Sequence, residues 1–388
     1  MDFKLTEEQQ IFYDSVRRFA QSELAPGAAA RAAASEYPWE VAEKFAEMGL
    51  LGLLFDEKDG GGGGTLVDAI LAIQAVAEAC PRSGDVVQAA NFGPIRTFVE
   101  YASAEQKAQY LPDLIAGRAV ISLGMTEPGA GSAVTQLKCS ATADGDDYLI
   151  NGTKIFGTHS AEANLFLIYV RFGPGTDGIG SVLIEKGTPG FEVGKPSGFM
   201  NGEDWSQLYF DNVRIPRANV LLGPGGFKKQ ISGFNVERIG NSARAVAVGR
   251  HAFNLARDHA MTREQFGRNL CEFQGLQWKF ADMELRLEAA QLLLMRAAVN
   301  GQDGLPDAHE TALAKLACNE AGYLAANEAV QILGGYGFSL ESTAQYCLRR
   351  TRGWMIAGGS TEMLKNRIAE GVFSRRFDQR PPRTLAAQ

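Results

Sequence analysis

The chain has 388 residues, 45% of them apolar, a formal net charge of −7, and 38 Lys plus Arg that are scattered rather than clustered. That length with that much apolar material implies two or three domains with large cores. Dispersed charge excludes a nucleic-acid surface but not an anionic small ligand, which a few placed donors can hold.

Five cysteines (Cys80, Cys139, Cys271, Cys318, Cys347) are odd in number and form no CxxC. Neither a disulfide framework nor a zinc site is expected, and a reducing compartment fits. Met1 is followed by Asp2-Phe3-Lys4-Leu5-Thr6-Glu7-Glu8, with neither a basic n-region nor an apolar h-region, so no signal or transit peptide is expected. The densest apolar runs, Gly49–Phe55 and Leu165–Val170, are far short of the ~20 residues a membrane span needs. The expectation is a soluble, cytoplasmic protein with no membrane and no nucleic-acid partner.

In chain order, Thr6 and Gln9 have capping-box spacing, and Phe12, Val16 and Phe19 recur at helical intervals. Helical patterns continue to about Gly117, interrupted by Gly60–Gly64. That run lacks the Gly-Lys-Ser/Thr of a nucleotide P-loop and reads as a flexible connector. From about Val120 to Pro224 the texture turns to short β-rich runs, Tyr148–Ile150, Leu165–Arg171, Ser181–Glu185 and Leu208–Ile215, with Asp144-Gly145-Asp146-Asp147 as a hairpin turn. Gly173-x-Gly175-x-x-Gly178 matches the dinucleotide fingerprint as a string, but a strand and not a helix follows it, so it reads as a hairpin loop.

After Gly226 helix returns. Leu276, Phe280, Met283, Leu287, Ala290 and Leu294 form a seam of near-heptad period, as in a bundle. Gly301–Pro306 interrupts it, a further helix runs to Gly334-Gly335, and the basic tail Arg375–Gln388 reads as loosely ordered. The four histidines (His159, His251, His259, His309) contain no HExxH, and His251 and His259, two helical turns apart, read as surface or packing residues, so no metal is expected.

Five segments stand in order along this frame: Met125-Thr126-Glu127-Pro128-Gly129-Ala130-Gly131-Ser132; Asn151-Gly152-Thr153-Lys154; Asn235-Val236-Glu237-Arg238; Arg263-Glu264-Gln265-Phe266-Gly267 with Phe273-Gln274; and Gln331-Ile332-Leu333-Gly334-Gly335-Tyr336-Gly337-Phe338. Together they resemble the signatures of the acyl-CoA dehydrogenase family, from about Leu5 to about Val372. The resemblance implies an α+β multidomain fold: an N-terminal all-α domain (1–120), a central β-barrel-like domain (121–225) and a C-terminal four-helix bundle (226–388). It implies FAD as cofactor, an acyl-CoA substrate, an electron-transfer flavoprotein as electron acceptor, and a homo-oligomer, a dimer of dimers.

By the same resemblance, Leu123, Met125, Thr126, Gly131, Ser132, Phe156 and Thr158 contact the flavin, with Phe156 in place of the usual stacking Trp. Arg263, Gln265, Phe266 and Gln274 receive the pyrophosphate and adenosine of a partner subunit's FAD, Gln331, Gly334 and Gly335 complete that pocket, and Ser360 and Glu362 are also expected to bind the cofactor. Ser132, Asn235 and Arg238 meet the substrate, and the region near Val86–Tyr101 shapes the acyl pocket. Many members carry their catalytic Glu where this chain has Gly358, in Ile356-Ala357-Gly358-Gly359-Ser360-Thr361-Glu362. Others, the isovaleryl- and long-chain acyl-CoA dehydrogenases among them, carry it on a bundle helix, which here is Glu237. The expected pair is therefore Glu237 as base and the Gly358 N–H as oxyanion donor. Departures from the family pattern are Ala133 and Arg350, each in place of an Asp, and the order Ser360-Thr361. Kept beside this reading are a flavin oxidase or monooxygenase of the same fold and a non-catalytic scaffold subunit.

Overall fold

The computed structural model describes residues 4–301 and 305–377. Of the tail 375–388, residues 378–388 lie outside the described range, and the reading of a loose tail falls there. Helix α1 (Glu7–Phe19) opens on the Thr6/Gln9 capping box, with Glu7 and Glu8 at its positive end and Arg17 and Arg18 at its negative end. Helices α2 (Ala28–Ala33), α3 (Trp39–Glu47), α4 (Leu66–Ala77), α5 (Gly84–Ala89), α6 (Pro94–Tyr101) and α7 (Ala104–Ile115) complete an N-terminal helical layer. Ten residues of α4 are buried, so it is the core of this layer rather than an amphipathic cover.

Gly60–Gly64 departs from expectation: it is a connector but not a loose one. The N–H groups of Gly61, Gly62, Gly63 and Gly64 donate to carbonyls of Asp56, Gly52, Phe55 and Leu53. A Cβ on Gly61 would lie 2.3 Å from the Phe55 carbonyl oxygen, so the run is glycine because the backbone folds onto itself.

The central layer is an eight-stranded sheet: β1 (Ile121–Gly124), β2 (Ser140–Asp144), β3 (Asp147–Lys154), β4 (Leu165–Arg171), β5 (Ile179–Glu185), β6 (Phe191–Val193), β9 (Leu208–Pro216) and β10 (Val220–Leu222), with β7 (Ser197–Gly198) and β8 (Asp204–Trp205) as a separate small ribbon. The order is β10-β5-β4-β2-β3-β9-β6, with β1 parallel to β4. The turn at residues 144–147 and the glycine loop 172–178 are both hairpin connections, joining β2 to β3 and β4 to β5. Strand β4 is buried on both faces: Phe166, Ile168 and Val170 enter the sheet's own core, while Leu165, Leu167 and Tyr169 pack toward the helices. This two-sided burial seats the β layer against the helical layers.

The C-terminal layer is built on three long helices, α8 (Phe227–Thr262), α9 (Gln274–Val299) and α10 (Ala308–Leu333). A short hairpin, β11 (Glu264–Gln265) with β12 (Arg268–Asn269), joins the first two. The one-turn α11 (Gly335–Phe338) and the shorter α12 (Thr343–Trp354) and α13 (Thr361–Val372) follow, the last two packing on α10. The predicted seam lies inside: Met283, Leu287, Ala290 and Leu294 are buried, and Leu276 and Phe280 pack at its rim. Helices α8 and α10 approach to backbone contact. A Cβ on Gly322 would lie 2.3 Å from the Ala245 carbonyl oxygen, and one on Gly249 would lie 2.8 Å from Gly322 Cα. No helix among the described residues is long and apolar enough to cross a membrane.

Candidate active site

Glu237 sits in α8 and Gly358 in the turn after α12, 121 positions apart, and the fold brings them to one place. The Glu237 carboxylate accepts from Gln88 Nε2 at 2.9 Å to each oxygen and from Asn241 Nδ2 at 2.9 Å. The same Asn241 Nδ2 lies 3.2 Å from where a Cβ on Gly358 would stand. Gly93 walls the other side: its φ is +70°, and a Cβ there would lie 3.1 Å from Glu237 Oε2. The region 86–101 therefore reaches the site through α5 and the turn before α6.

Burial raises the Glu237 pKa, and the Arg244 charge, the Gln88 and Asn241 donors and Lys315 pull it back down. Arg244 donates to Asn241 Oδ1, which leaves the Asn241 amide nitrogen to face Glu237. Glu237 and Arg238 do not form the surface charge pair that their adjacency suggests. Arg238 instead donates to the Gly358 carbonyl at 3.2 Å and to Asn235 Oδ1 at 3.2 Å, while Asn235 Nδ2 reaches the Pro306 carbonyl at 3.3 Å. Within the chain, then, both predicted substrate residues of α8 are engaged with loops beside the site.

Beneath the site lies a buried charge network. Arg244 and Arg350 both pair with Asp85, and Arg350 and Arg82 both pair with Glu203. Arg244 and Arg350 also each lie 4.9 Å from the Trp354 ring centroid. The departure at Arg350 has a physical account here: it bridges an acid of α5 to an acid beside β8 and so ties three layers together. Burial opposes ionisation of Asp85, but Arg350 and Arg244 outweigh it and hold its pKa well below the usual carboxylate range.

Lys315, within Ala312-Leu313-Ala314-Lys315-Leu316-Ala317, is fully buried and donates to the carbonyls of Trp354 (3.0 Å), Ala357 (3.0 Å) and Gly359 (3.3 Å). Burial and Arg238 push its pKa down to about 7, Glu237 pulls it up, and Arg244 pushes it down again. Gln88, Asn241, Arg244 and Lys315 went unnoticed in sequence. Asn241 lies one helical turn from Glu237, and Lys315 is a lone charge in an apolar run; both signals were available. Gln88 carries no such signal.

A second group gathers at the edge of the sheet. Ile155 N donates to the Thr126 carbonyl, Ser122 Oγ to the Thr158 carbonyl at 2.8 Å, and Gly157 lies against Leu123, so Leu123, Met125, Thr126, Phe156 and Thr158 form one surface. Two motif residues support it from below: buried Lys154 donates to Glu127 at 2.7 Å and to the Met125 carbonyl at 3.2 Å, and Glu127 also accepts from Lys138 N and Cys139 N. Phe156 is 52% exposed with φ +58°, and its ring stands 4.5 Å from that of Trp205. Gly131 and Ser132 are exposed on the adjoining loop.

The third group is the hairpin. Phe266 and Gly267 have φ of +55° and +77°, a two-residue turn of the I′ kind, and Phe266 is 94% exposed. A bulky residue in the left-handed region and pushed into solvent is uncommon and costs conformational strain. Arg263 and Gln265 are exposed beside it, and Gln274 begins α9. Gln331, Gly334 and Gly335 are exposed at the end of α10, and no heavy atom lies within 4 Å of a Cβ on either glycine. Ser360 accepts from Met363 N as the cap of α13, and Glu362 is exposed in that helix's first turn. No hydrogen bond or ring contact among the described residues joins the hairpin to the sheet-edge group. Among the described residues no cluster of His, Cys, Asp and Glu could hold a metal ion, and His251 is a packing residue bonded to the Glu78 carbonyl and Thr343 Oγ1.

The acyl-CoA dehydrogenase N-terminal, middle and C-terminal domain families match residues 6–118, 122–213 and 224–373. A short-chain specific acyl-CoA dehydrogenase of Clostridium acetobutylicum is 34% identical over 96% of this chain and 100% of its own. A glutaryl-CoA dehydrogenase of Mycobacterium smegmatis, solved in complex with FADH2, superposes with a TM-score of 0.90 at 25% identity, over 97% of each chain. A chain from structural work on the electron transferring flavoprotein of Acidaminococcus fermentans and flavin-based electron bifurcation gives a TM-score of 0.90 at 31% identity, over 96% of this chain and 99% of that one. The chain belongs to the acyl-CoA dehydrogenase family and is a flavin-dependent oxidoreductase acting on acyl-CoA.

Proposed function

We propose that the protein catalyses FAD-dependent α,β-dehydrogenation of an acyl-CoA thioester, with Glu237 as the base that takes the Cα proton. The observation that carries this is the convergence of Glu237 and Gly358 on Asn241. A thioester Cα–H is a weak acid, so a carboxylate beside the carbon must be matched by donors at the carbonyl oxygen. Gln88 and Asn241 hold the carboxylate oriented, and burial raises its basicity toward that of the proton it must take. The Gly358 N–H donates to no group among the described residues, which leaves it open to the thioester oxygen.

The residues present suit FAD. Leu123, Met125, Thr126, Gly131, Ser132, Phe156 and Thr158 would line the isoalloxazine. Phe156 offers an exposed ring backed by Trp205. Ser360 and Glu362, at the cap and first turn of α13, would close the pocket. Bound FAD supplies the hydride acceptor. Arg263, Gln265, Phe266 and Gln274 would bind the pyrophosphate and adenosine of a neighbour's FAD, with the guanidinium suited to bidentate phosphate contact, and Gln331, Gly334 and Gly335 would complete that site. The exposed Phe266 in a left-handed turn supports a hairpin made to reach outward. Trp278, Leu285, Leu292 and Val299, exposed at intervals of seven on α9, offer an apolar stripe for a second copy, which fits a homo-oligomer. Arg238, released from Asn235, and Ser132 would meet the CoA moiety. We place the domain limits at 1–120, 121–225 and 226–388, and an electron-transfer flavoprotein would receive the electrons.

Anaerobic titration against a panel of acyl-CoAs is the test. At least one member should bleach the flavin absorbance with production of the enoyl-CoA. Failure of every acyl-CoA to reduce bound flavin would overturn the proposal.

A further inference from the structure

We propose that Lys315 is a positioning residue for thioester activation: from inside α10 it fixes the Ala357–Gly358 peptide so that the Gly358 N–H stands ready as the oxyanion donor. This rests on the reading of Glu237 and Gly358 given above.

A buried ammonium is costly unless its protons are matched. Lys315 forms no ion pair with a carboxylate among the described residues. Its three donors go instead to three carbonyls of one short segment, Trp354, Ala357 and Gly359. The grip on Ala357 is the consequential one. A trans peptide is planar, with its C=O and N–H pointing in opposite directions. Holding the Ala357 oxygen toward α10 therefore turns the Gly358 N–H away from Lys315. The next carbonyl, Gly358, is held by Arg238, and the one after it, Gly359, by Lys315 again. Three successive peptide units are thus fixed by two cations, and the N–H between them donates to nothing among the described residues.

The turn cannot settle its own orientation. Gly358 and Gly359 have φ of +69° and +100°, a backbone with wide freedom, so an external anchor decides which way each peptide faces. Hydrogen bonding to an ammonium also polarises the Ala357–Gly358 peptide and strengthens its N–H as a donor. Closing the end of α12 is not a sufficient account of the lysine, because Asn319 Nδ2 already donates to the Trp354 carbonyl at 2.9 Å.

The test compares Lys315→Met with Lys315→Gln, which keeps two donors without the charge, and with Asn319→Ala, which loosens the end of α12 but leaves Ala357 alone. Acetoacetyl-CoA is the probe. Its Cα proton is acidic, and the ultraviolet absorbance of its enolate reports the stabilisation of thioester negative charge without hydride transfer. Lys315→Met should raise the apparent pKa of bound acetoacetyl-CoA by at least about one unit and slow anaerobic flavin reduction about 10- to 10³-fold, the span seen on losing an oxyanion donor or part of one. Lys315→Gln should fall between Met and wild type. Asn319→Ala should lower thermal stability and leave both readouts near wild type.

Folded Lys315→Met with an unchanged enolate pKa and an unchanged reduction rate overturns the proposal. So does Asn319→Ala matching Lys315→Met in both readouts, or failure of both Lys315 variants to fold while Asn319→Ala folds, since either assigns the lysine to stability alone. The enolate pKa shift should persist on a Glu237→Gln background. Wild-type flavin reduction by Glu237→Gln alone would refute the base and leave the Lys315 result standing.

Discussion

Replacing Glu237 by Gln tests the centre of the proposed mechanism, and the structure bounds the size of the effect. Gln has the shape of Glu and can be held in place: its oxygen can accept from Asn241, and its nitrogen can donate to Gln88 once that amide turns over. Asn241 cannot turn in the same way, because Arg244 fixes its oxygen. The change therefore removes basicity and little else. A positioned base is worth about 10² to 10⁴ in rate, or about 3–5 kcal/mol at 1.36 kcal/mol per decade. The upper part of that range is expected, because no neighbour can take over. Asp85 is locked between Arg244 and Arg350, and the protons of Lys315 are committed to three carbonyls. Stopped-flow flavin reduction under anaerobic conditions, with the acyl-CoA that reduces wild type fastest, reads the step directly. The variant should keep its flavin and bind substrate, with reduction slowed at least about 10²-fold. Reduction at the wild-type rate would refute the assignment.

The same substitution should not destabilise the protein. Burial raises the Glu237 pKa in the folded state, so its contribution to stability is present below the unfolded pKa and lost as pH rises through the folded one; thermal melts at pH 7 should show Glu237→Gln at or above wild type. The raised pKa also places the acid limb of flavin reduction above the ~4.3 of a free glutamate, which a pH series on the enzyme–substrate complex would show. Gly358→Glu on the Glu237→Gln background should recover only a small part of the rate: the backbone is left-handed at +69°, and the new Cβ would meet Asn241 Nδ2 at 3.2 Å. Asp85→Asn should lower stability by about 3–5 kcal/mol in denaturant melts, since it removes the carboxylate paired with Arg244 and one of the two paired with Arg350. In wild type, the depressed Asp85 pKa makes its contribution present above the unfolded pKa of ~3.9 and lost as pH falls through the folded value. Gly322→Ala should cost about 1–3 kcal/mol in the same assay, because its methyl would press α10 off the Ala245 carbonyl.

Local pattern was enough to read three layers from this chain. The Thr6/Gln9 capping box, the short β-rich runs and the near-heptad seam of α9 are short-range signals, and each element formed where its pattern lies. The order of five motifs along the chain was enough to point to a family and a cofactor. Tertiary structure alone decided what the motif residues do. Glu127 and Lys154 read as parts of a binding signature, yet they form a buried pair that holds the Met125 loop to β3. Arg350 read as a departure and proved to be a bridge between Asp85 and Glu203. Gly60–Gly64 read as slack and proved to be bonded to its own neighbours. The site shows the limit most clearly. Gln88, Glu237, Lys315 and Gly358 come from four segments separated by 43 to 149 residues, and no periodicity links them. Their meeting depends on how closely α8 can approach α10, and that distance is set by the absence of two side chains, at Gly249 and Gly322, where helix backbones touch.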